Sequence, residues 1–370
     1  MTSDRWRWRG SVALVAVALG FVIYPLIEGP NDVINSDWPA FATGARLIVE
    51  NPAHLYDFDA QRRTELEVTN GRVLITLGIH GILPFLAPAW VALFAVPFEL
   101  LGTDIGGRVW IMFGLACLAS GLYLAVRPRA PSAILPAFAT VPTALMLLNA
   151  QLDGLVALGI GAAIALWTRP YAAGLALGLT LVKPQLMLPL GAWLILTRRW
   201  RVLAGWMSAG VVLLAATMLL NPRWVLDWLP ALTTPVRPGS REVDIAHFGV
   251  YMPSAVAGYS VVTLSLITLA GVMWLVLRPR LDFRAAAGVL VVGGVLVAPH
   301  ALPADLVLVA VGLAIWGQAN WKDWLLLSLG AGVAALAPPP LPAITGVLLI
   351  AWITVRISGW RRGPARASAG

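Results

Sequence analysis

Apolar runs of membrane-spanning length recur along this chain from Ser11 to Ile357, and Arg, Pro, Asp or Trp residues bound each of them. A bilayer core about 30 Å thick requires roughly 20 apolar residues in helical form, because backbone polar groups in lipid must bond within their own segment. Only 12% of the 370 residues are charged, whereas soluble domains carry about 25%. The pattern predicts an all-α, polytopic bundle of transmembrane helices and excludes an ordinary soluble core.

We predict about twelve spans, which makes residues 1–370 a single transmembrane domain with both termini in the cytoplasm. The basic clusters flank apolar runs, so the net charge of +8 indicates helix orientation and contact with membrane lipids, and it argues against nucleic-acid binding. The predicted spans are Ser11–Ile27, Ile82–Leu101, Gly106–Val126, Ser132–Leu148, Leu152–Trp167, Tyr171–Leu196, Val202–Leu220, Ala255–Leu277, Ala285–Ala298, Asp305–Trp316, Trp324–Ala337 and Leu341–Ile357.

Two connections are too long and too polar to be simple turns, namely residues 28–81 and residues 221–254. Both face outward in the twelve-span arrangement. In the first, apolar residues at helical spacing and a proline suited to a first turn predict an amphipathic helix over Trp38–Glu50, lying along the outer membrane surface. The second is rich in Trp, Pro and Arg.

Asp37 precedes this predicted helix, and two interpretations remain open. As an N-cap, its carboxylate accepts backbone N–H bonds and complements the helix dipole. As a general base, it uses partial desolvation to raise its pKa toward the working pH. Capping bonds lower a carboxyl pKa, so the two roles are compatible only in part.

Polar residues also interrupt the apolar runs at three later places. LLNAQLDG carries Asn149, Gln151 and Asp153, either in a solvated turn or facing a cavity. LVKPQ carries Lys183 and Gln185 beside a proline that permits a helix break; the lysine meets a lipid phosphate, pairs with a carboxylate, or snorkels. APHALPADL brings His300 and Asp305 to a break in a structural or functional role, and His80 is a weaker instance of the same idea.

No soluble-enzyme signature is present, because the chain has no Walker A loop, no G-x-S-x-G and no H-E-x-x-H. The one cysteine, Cys117, excludes intrachain disulfides and thiolate metal clusters. We predict no metal site and no cofactor.

Five segments together carry a family resemblance: SDWPAFATGARLIVENPAHLYD, HGILPFLAPAWVALFAVPFELLG, LLNAQLDGLVALGI, LVKPQL followed by TRRWR, and APHALPADLVLV. The chain resembles bacterial GT-C-type glycosyltransferases, specifically the polyprenyl-phosphate-mannose-dependent α-mannosyltransferases of phosphatidylinositol mannoside synthesis. It departs from them in having Ala150 where the family usually has Gly, and His80–Pro84 in place of an aromatic-Pro-Pro pattern.

The resemblance implies transfer of a sugar, most readily mannose, from a polyprenyl phosphate to a lipid-linked or cell-surface glycan at the outer face of a bacterial plasma membrane. It implies an inverting reaction with Asp37 as the base. Cationic candidates for the leaving phosphate are Lys183, His300 and either Arg46 or Arg241. The full set of expected substrate-binding residues is Arg46, Tyr56, His80, Asn149, Gln151, Lys183, Gln185, Arg241, His300 and Asp305.

Two other classes stay open at this point. A transporter or lipid flippase would also have many spans and midplane polar residues, but it should show repeat symmetry and matching broken helices. A non-catalytic scaffold would tolerate Asp37→Asn, whereas an enzyme using this carboxylate as a base would not.

Overall fold

The computed structural model describes residues 33–76, 79–81, 83–126, 134–233, 245, 254–277, 281, 283–338 and 340–359. The predicted span Ser11–Ile27 and the candidate Arg241 lie outside these residues. Only the backbone of His80 is described.

The N-terminal part of the described chain is a small folded unit. Its elements are α1 (Trp38–Glu50), a 3₁₀ turn (Pro52–His54), α2 (Phe58–Val68), β1 (Leu74–Thr76) and β2 (Ile79–Gly81). The two strands are antiparallel, with Ile75 opposite His80. This hairpin is a small exception to the predicted all-α class.

Every regular element of the described chain after Gly81 is helical. The helices are α3 (Ala89–Glu99), α4 (Thr103–Val126), α5 (Leu135–Phe138), α6 (Val141–Leu148), α7 (Asp153–Ala165), α8 (Pro170–Leu177), α9 (Leu188–Leu196), α10 (Trp200–Met218), α11 (Trp224–Thr233), α12 (Ser254–Val276), α13 (Phe283–Val297), α14 (Val307–Trp316), α15 (Trp321–Leu336) and α16 (Leu341–Ser358). Three 3₁₀ segments, Gly178–Val182, Pro184–Met187 and Pro303–Leu306, join some of them.

Four of the described helices, rather than twelve, are long and apolar enough to cross a membrane: α4, α10, the Gly258–Val276 part of α12, and α16. Shorter apolar helices occupy most of the other predicted spans. Many large apolar side chains on these helices are exposed, such as Val212, Leu266 and Leu329. A soluble protein rarely exposes so much apolar surface, whereas lipid accommodates it.

Prolines explain why two of the predicted spans are broken. The predicted span Ser132–Leu148 contains two short helices, α5 and α6, each with a proline in its first turn. The predicted span Tyr171–Leu196 divides at Lys183–Pro184 into α8, two 3₁₀ segments and α9. A proline lacks the backbone N–H and clashes with the preceding turn, so it suits a helix start and breaks a helix interior.

Helix α1 has the predicted bounds, but its surroundings differ from the prediction. Ten of its thirteen residues are buried, on nearly every side of the helix. It packs mainly against α2 and α3, and Trp38 is fully buried against the first turns of α4. The helix is therefore a core element of the fold, and its apolar face is covered by protein.

Small residues bring α4 and α7 into backbone contact. A Cβ atom added to Gly154 would clash with the carbonyl of Gly114, and one added to Gly161 would clash with the carbonyl of Gly121. Both helices thus use glycines seven residues apart at the same seam, as close-packed membrane helices often do. This contact fixes the start of α7, where the candidate site lies.

The second long connection begins against the first one. The Asn221 side-chain amide donates to the Pro52 carbonyl at 3.0 Å, and Trp228 Nε1 donates to the Leu86 carbonyl at 2.8 Å. Trp224 is buried between Tyr56 and Trp90, with ring centroids 6.3 and 5.4 Å away. The described start of residues 221–254 therefore packs on residues 28–81 and on the segment before α3.

Candidate active site

Asp37 occupies the N-cap position of α1 without capping the helix. Its side chain accepts no bond from the first turn of α1. In contrast, Asp57 caps α2 by accepting bonds from the backbone N–H groups of Asp59 and Ala60 at 2.9 and 3.0 Å. The carboxylate of Asp37 is thus left for another partner, and the capping interpretation of its side chain is wrong.

Trp38 fixes the position of Asp37 from the next residue along. Its indole Nε1 donates to the Thr103 carbonyl at 2.8 Å, and its ring lies against Gly106 and Gly107 of α4. Pro39 follows in the first helical turn, where it suits the helix start. The sequence therefore anchors the beginning of α1 to α4.

A tight turn between α6 and α7 lies next to Asp37. The backbone N–H of Asp37 donates to the Asn149 carbonyl at 3.3 Å, and that of Gln151 donates to the Met146 carbonyl at 2.9 Å. Trp110 of α4 donates from Nε1 to the Ala150 carbonyl at 2.8 Å. This turn is largely buried, so the prediction of a solvated turn in LLNAQLDG is wrong.

The side chain of Gln151 reaches Asp37 directly. Its amide nitrogen Nε2 donates to the carboxylate oxygen Oδ2 of Asp37. Gln151 itself is buried, with 6% of its surface exposed, whereas Asp37 keeps part of its surface exposed. A neutral donor therefore holds one oxygen of a carboxylate that is still partly accessible.

Lys183 lies at the break between the two 3₁₀ segments and pairs with two carboxylates. Its Nζ donates to Asp153 Oδ2 at 2.9 Å and to Asp305 Oδ1 at 2.5 Å. The second oxygen of Asp305 accepts the backbone N–H of Leu302 at 2.6 Å. The lysine side chain is 13% exposed and the two aspartates less than that, so this is a buried charged triad.

The triad acts electrostatically on Asp37. Burial raises the pKa of the Asp37 carboxyl from 3.8 to about 6; the positive charge of Lys183 lowers this pKa and the negative charge of Asp305 raises it. We call Asp37, Gln151, Asp153, Lys183 and Asp305 the Asp37 cluster. Its five members come from four separate places in the chain, each at a helix end or a helix break.

Three more candidates lie near the cluster in the chain. Asn149, half-buried, uses its side-chain amide to bond the Leu145 carbonyl at 2.8 Å. Gln185 is half-buried two residues after Lys183. His300 is half-buried in the same break that carries Asp305, between α13 and α14.

The structure does not bring Arg46 and Tyr56 into contact with the cluster. Arg46 lies nine residues after Asp37 on α1, about 13 Å along the helix axis, and its guanidinium bonds Glu99 at 2.5 Å. The Tyr56 hydroxyl donates to the Ala87 carbonyl at 2.9 Å, and its ring packs against Phe85 and Trp224.

Two residues of the site were absent from the sequence-based candidates. Asp153 was identified with Asn149 and Gln151 as costly at membrane depth, but it was not among the expected substrate-binding residues. Trp110 gave no signal, since an indole inside an apolar run is typical of any membrane helix. Among the described residues, no group of three or more His, Cys, Asp or Glu side chains is arranged to hold a metal ion.

A basic patch lies beyond the C-terminal end of α7 and around the start of α10. Arg169 follows α7, and Arg198, Arg199 and Arg201 surround the start of α10. All four are exposed, and Arg199 lies over the Trp167 ring at 5.7 Å. Helix α7 has 13 residues, so this patch lies about 20 Å from Asp153 along the helix axis.

Comparison with known proteins gives one family. The model of the family described as Glycosyltransferase family 87, a GT-C-type family, matches residues 85–305, more than half of the chain. Gln151, Asp153, Lys183 and Asp305 lie within the match, and Asp37 precedes it. No curated protein and no solved structure matches the chain.

Proposed function

Because the chain belongs to glycosyltransferase family 87, we propose that it transfers a sugar, mannose in the first instance, from a polyprenyl phosphate to a hydroxyl of a lipid-linked or cell-surface glycan. The family membership makes the chain a glycosyltransferase, in place of the transporter and scaffold alternatives. The donor, the sugar and the acceptor are our proposal.

We assign the general base to Asp37, and the observation that carries this assignment is the environment of its carboxylate. Burial raises the pKa of Asp37 to about 6, so the group is ionised at neutral pH and still close enough to the working pH to take a proton. One oxygen is held by Gln151, and the residue remains partly exposed to a substrate.

The proposed reaction is a single displacement. The acceptor hydroxyl oxygen attacks the anomeric carbon while Asp37 takes the hydroxyl proton, and the bond from that carbon to the phosphate oxygen breaks. The polyprenyl phosphate leaves with the electron pair of that bond, and the configuration inverts. General-base assistance of this kind contributes roughly 10²–10⁴-fold to the rate.

The leaving phosphate requires a positively charged contact. Lys183 has less net positive charge to offer than the sequence alone indicates. Its ammonium is already compensated by Asp153 and Asp305. We therefore assign Lys183 a role in fixing the helix breaks and in setting the field around Asp37. His300, in the same break as Asp305, and Arg241 remain the proposed phosphate contacts, and Gln185, Asn149 and His80 remain proposed contacts for the sugar.

We further propose that the site faces the outside of the cell. The basic patch includes Arg169, which follows the C-terminal end of α7, whereas Asp153 of the Asp37 cluster begins that helix. Basic residues flanking membrane helices favour the cytoplasmic side. The cluster then lies toward the opposite side, where lipid-linked sugars are used to build surface glycans.

The decisive experiment measures label transfer by purified protein in nanodiscs from radiolabelled polyprenyl-phosphate sugars to a membrane lipid extract. Asp37→Asn should abolish transfer while the protein stays monodisperse. The matched control is Asp57→Asn, which keeps a capping oxygen at α2 and should transfer normally. Transfer by Asp37→Asn removes the base assignment, and no transfer by the wild-type protein from any donor of the panel refutes the donor class.

A further inference from the structure

The Asp37 carboxylate is held asymmetrically. Oδ2 accepts the Gln151 side-chain amide, whereas Oδ1 accepts no hydrogen bond from the part of the chain that the structure describes. An attacking hydroxyl needs an ionised oxygen free to accept its proton, so this asymmetry selects Oδ1 for the reaction.

Gln151 is itself held by a rigid turn. Its backbone N–H bonds the Met146 carbonyl, the preceding carbonyl of Ala150 accepts Trp110 Nε1, and the Asn149 carbonyl accepts the Asp37 backbone N–H. Ala150 has a φ of 52°, in the left-handed region that disfavours residues with a Cβ atom. A fold that keeps a non-glycine residue there fixes the turn by other contacts, and these three bonds supply them.

We propose that Gln151 is a positioning residue for Asp37: its amide fixes the carboxylate with Oδ1 toward the acceptor and stabilises the ionised form. The inference deepens the proposed function and rests on it for the catalytic consequence. The contact itself is a separate claim about Asp37, and it is testable without turnover.

The physical basis is the charge state that the amide prefers. An N–H donor bonds a carboxylate more strongly than a carboxylic acid oxygen, so Gln151 opposes the effect of burial on the Asp37 pKa. The charged groups acting on Asp37 are Lys183 and Asp305, with Asp153 bonded to Lys183. The charged side chains of the packed helices α1, α3 and α4 are Arg46, Glu50, Glu99, Asp104 and Arg108.

Those helix charges are largely engaged elsewhere. Arg46 pairs with Glu99 at the far end of α1, and Asp104 pairs with Arg72. Removal of the Gln151 amide therefore leaves the Asp37 carboxylate with no direct donor among the described residues. Loss of a hydrogen bond to a charged group should raise the Asp37 pKa by about one to two units.

The test titrates Asp37 through thermal stability. The melting temperature is measured from pH 4 to 8 for four proteins: wild type, Asp37→Asn, Gln151→Leu and the double variant. These form two pairs, and within each pair one protein keeps the Asp37 carboxyl and the other carries the Asp37→Asn substitution. The difference in melting temperature within a pair changes with pH between the Asp37 pKa of the unfolded chain and that of the folded chain. A rise of one to two units in the folded chain alone should therefore move the midpoint of this change about 0.5–1 pH unit higher in the Gln151→Leu pair than in the pair with Gln151 intact. The control Gln318→Leu, an exposed position between α14 and α15, should leave it in place.

A second variant covers the case in which Gln151→Leu does not fold. Gln151→Glu keeps the chain length and polarity and places a second acid against Asp37, so it should move the midpoint upward at least as far. An unchanged midpoint in either folded variant overturns the proposal.

Activity measurements then separate the claim that Gln151 positions Asp37 from the claim that Asp37 is the general base. If Asp37 is the base, the acidic limb of the kcat/KM profile should move with the melting midpoint in the same variants, and kcat should fall about tenfold or more at neutral pH. A shifted midpoint in a protein whose Asp37→Asn variant still transfers sugar keeps Gln151 as the positioning partner of Asp37 and refutes the assignment of Asp37 as the general base.

Discussion

Replacement of Asp37 by Asn should stabilise the protein at neutral pH while abolishing its activity. Burial raises the pKa of Asp37 from 3.8 to about 6, so the folded chain binds the proton more tightly than the unfolded chain. Stability from this group is complete below pH 3.8 and is lost as the pH rises through 6. Asparagine carries no charge at either pH, so the variant avoids this loss.

The magnitude follows from the size of the shift. From 3.8 to about 6 is roughly two units at 1.36 kcal/mol each, or about 3 kcal/mol at pH 7. Asp37 keeps part of its surface in contact with solvent, which screens the charge, so we expect about 1–2 kcal/mol. For a chain of 370 residues this corresponds to a rise of about 1–3 °C in the melting temperature.

The assay is intrinsic tryptophan fluorescence during heating, in one detergent, at pH 4, 5, 6, 7 and 8. The stabilisation should be small at pH 4, should grow between pH 4 and 6, and should level off by pH 7. Asp57→Asn is the matched control, because backbone bonds from Ala60 hold the pKa of Asp57 below its usual value, and that variant should gain no stability at pH 7. An Asp37→Asn protein that is no more stable than wild type at pH 7, or whose advantage is the same at every pH, refutes the buried-carboxylate reasoning.

Two further substitutions test the turn and the triad. Ala150→Gly removes a Cβ atom at φ 52° and should raise the free energy of unfolding by about 1 kcal/mol, with sugar transfer retained. A lower melting temperature would show that the contacts of the Ala150 methyl group stabilise the fold by more than the backbone strain destabilises it. Lys183→Met leaves the charges of Asp153 and Asp305 uncompensated and should lower the free energy of unfolding by about 3–5 kcal/mol. The control Lys322→Met, at the only other lysine, should lower it by less than about 0.5 kcal/mol. Equal melting temperatures for the two variants would argue against a buried triad.

Local features of the fold were predictable from the sequence, and the contacts between distant segments were not. The bounds of α1 follow from Pro39 and the spacing of its apolar residues, and the break at Lys183–Pro184 follows from a proline beside a charge. Burial of α1 was not predictable, because the spacing of its own apolar residues does not reveal that α2, α3 and α4 cover it. The twelve-span prediction counted apolar runs, and prolines at the start of α5, α6 and the segment Pro184–Met187 divide two of these runs into shorter helices.

In the candidate site, too, local features were predictable from the sequence and contacts between distant segments were not. Polar residues within apolar runs identified Gln151, Lys183 and Asp305, since such residues are costly in lipid. Their partners are 114 and 122 residues away in the chain, so no spacing rule connects them. Whether the Asp37 side chain caps α1 depended on where that side chain points. The orientation of the Asp37 side chain comes from Trp38, Trp110 and the tight turn between α6 and α7.

The order of the triad along the chain bears on how the protein is made. Asp153 and Lys183 are only 30 residues apart and neutralise each other, so a growing chain can place both in the bilayer before its last third exists. Asp305 arrives 122 residues after Lys183 and adds the unbalanced charge. A ribosome-released fragment that ends before residue 305 thus retains the neutral Asp153–Lys183 pair and lacks Asp305. Completion of the Asp37 cluster is therefore a late event of biogenesis, and it coincides with synthesis of the segment that follows α13.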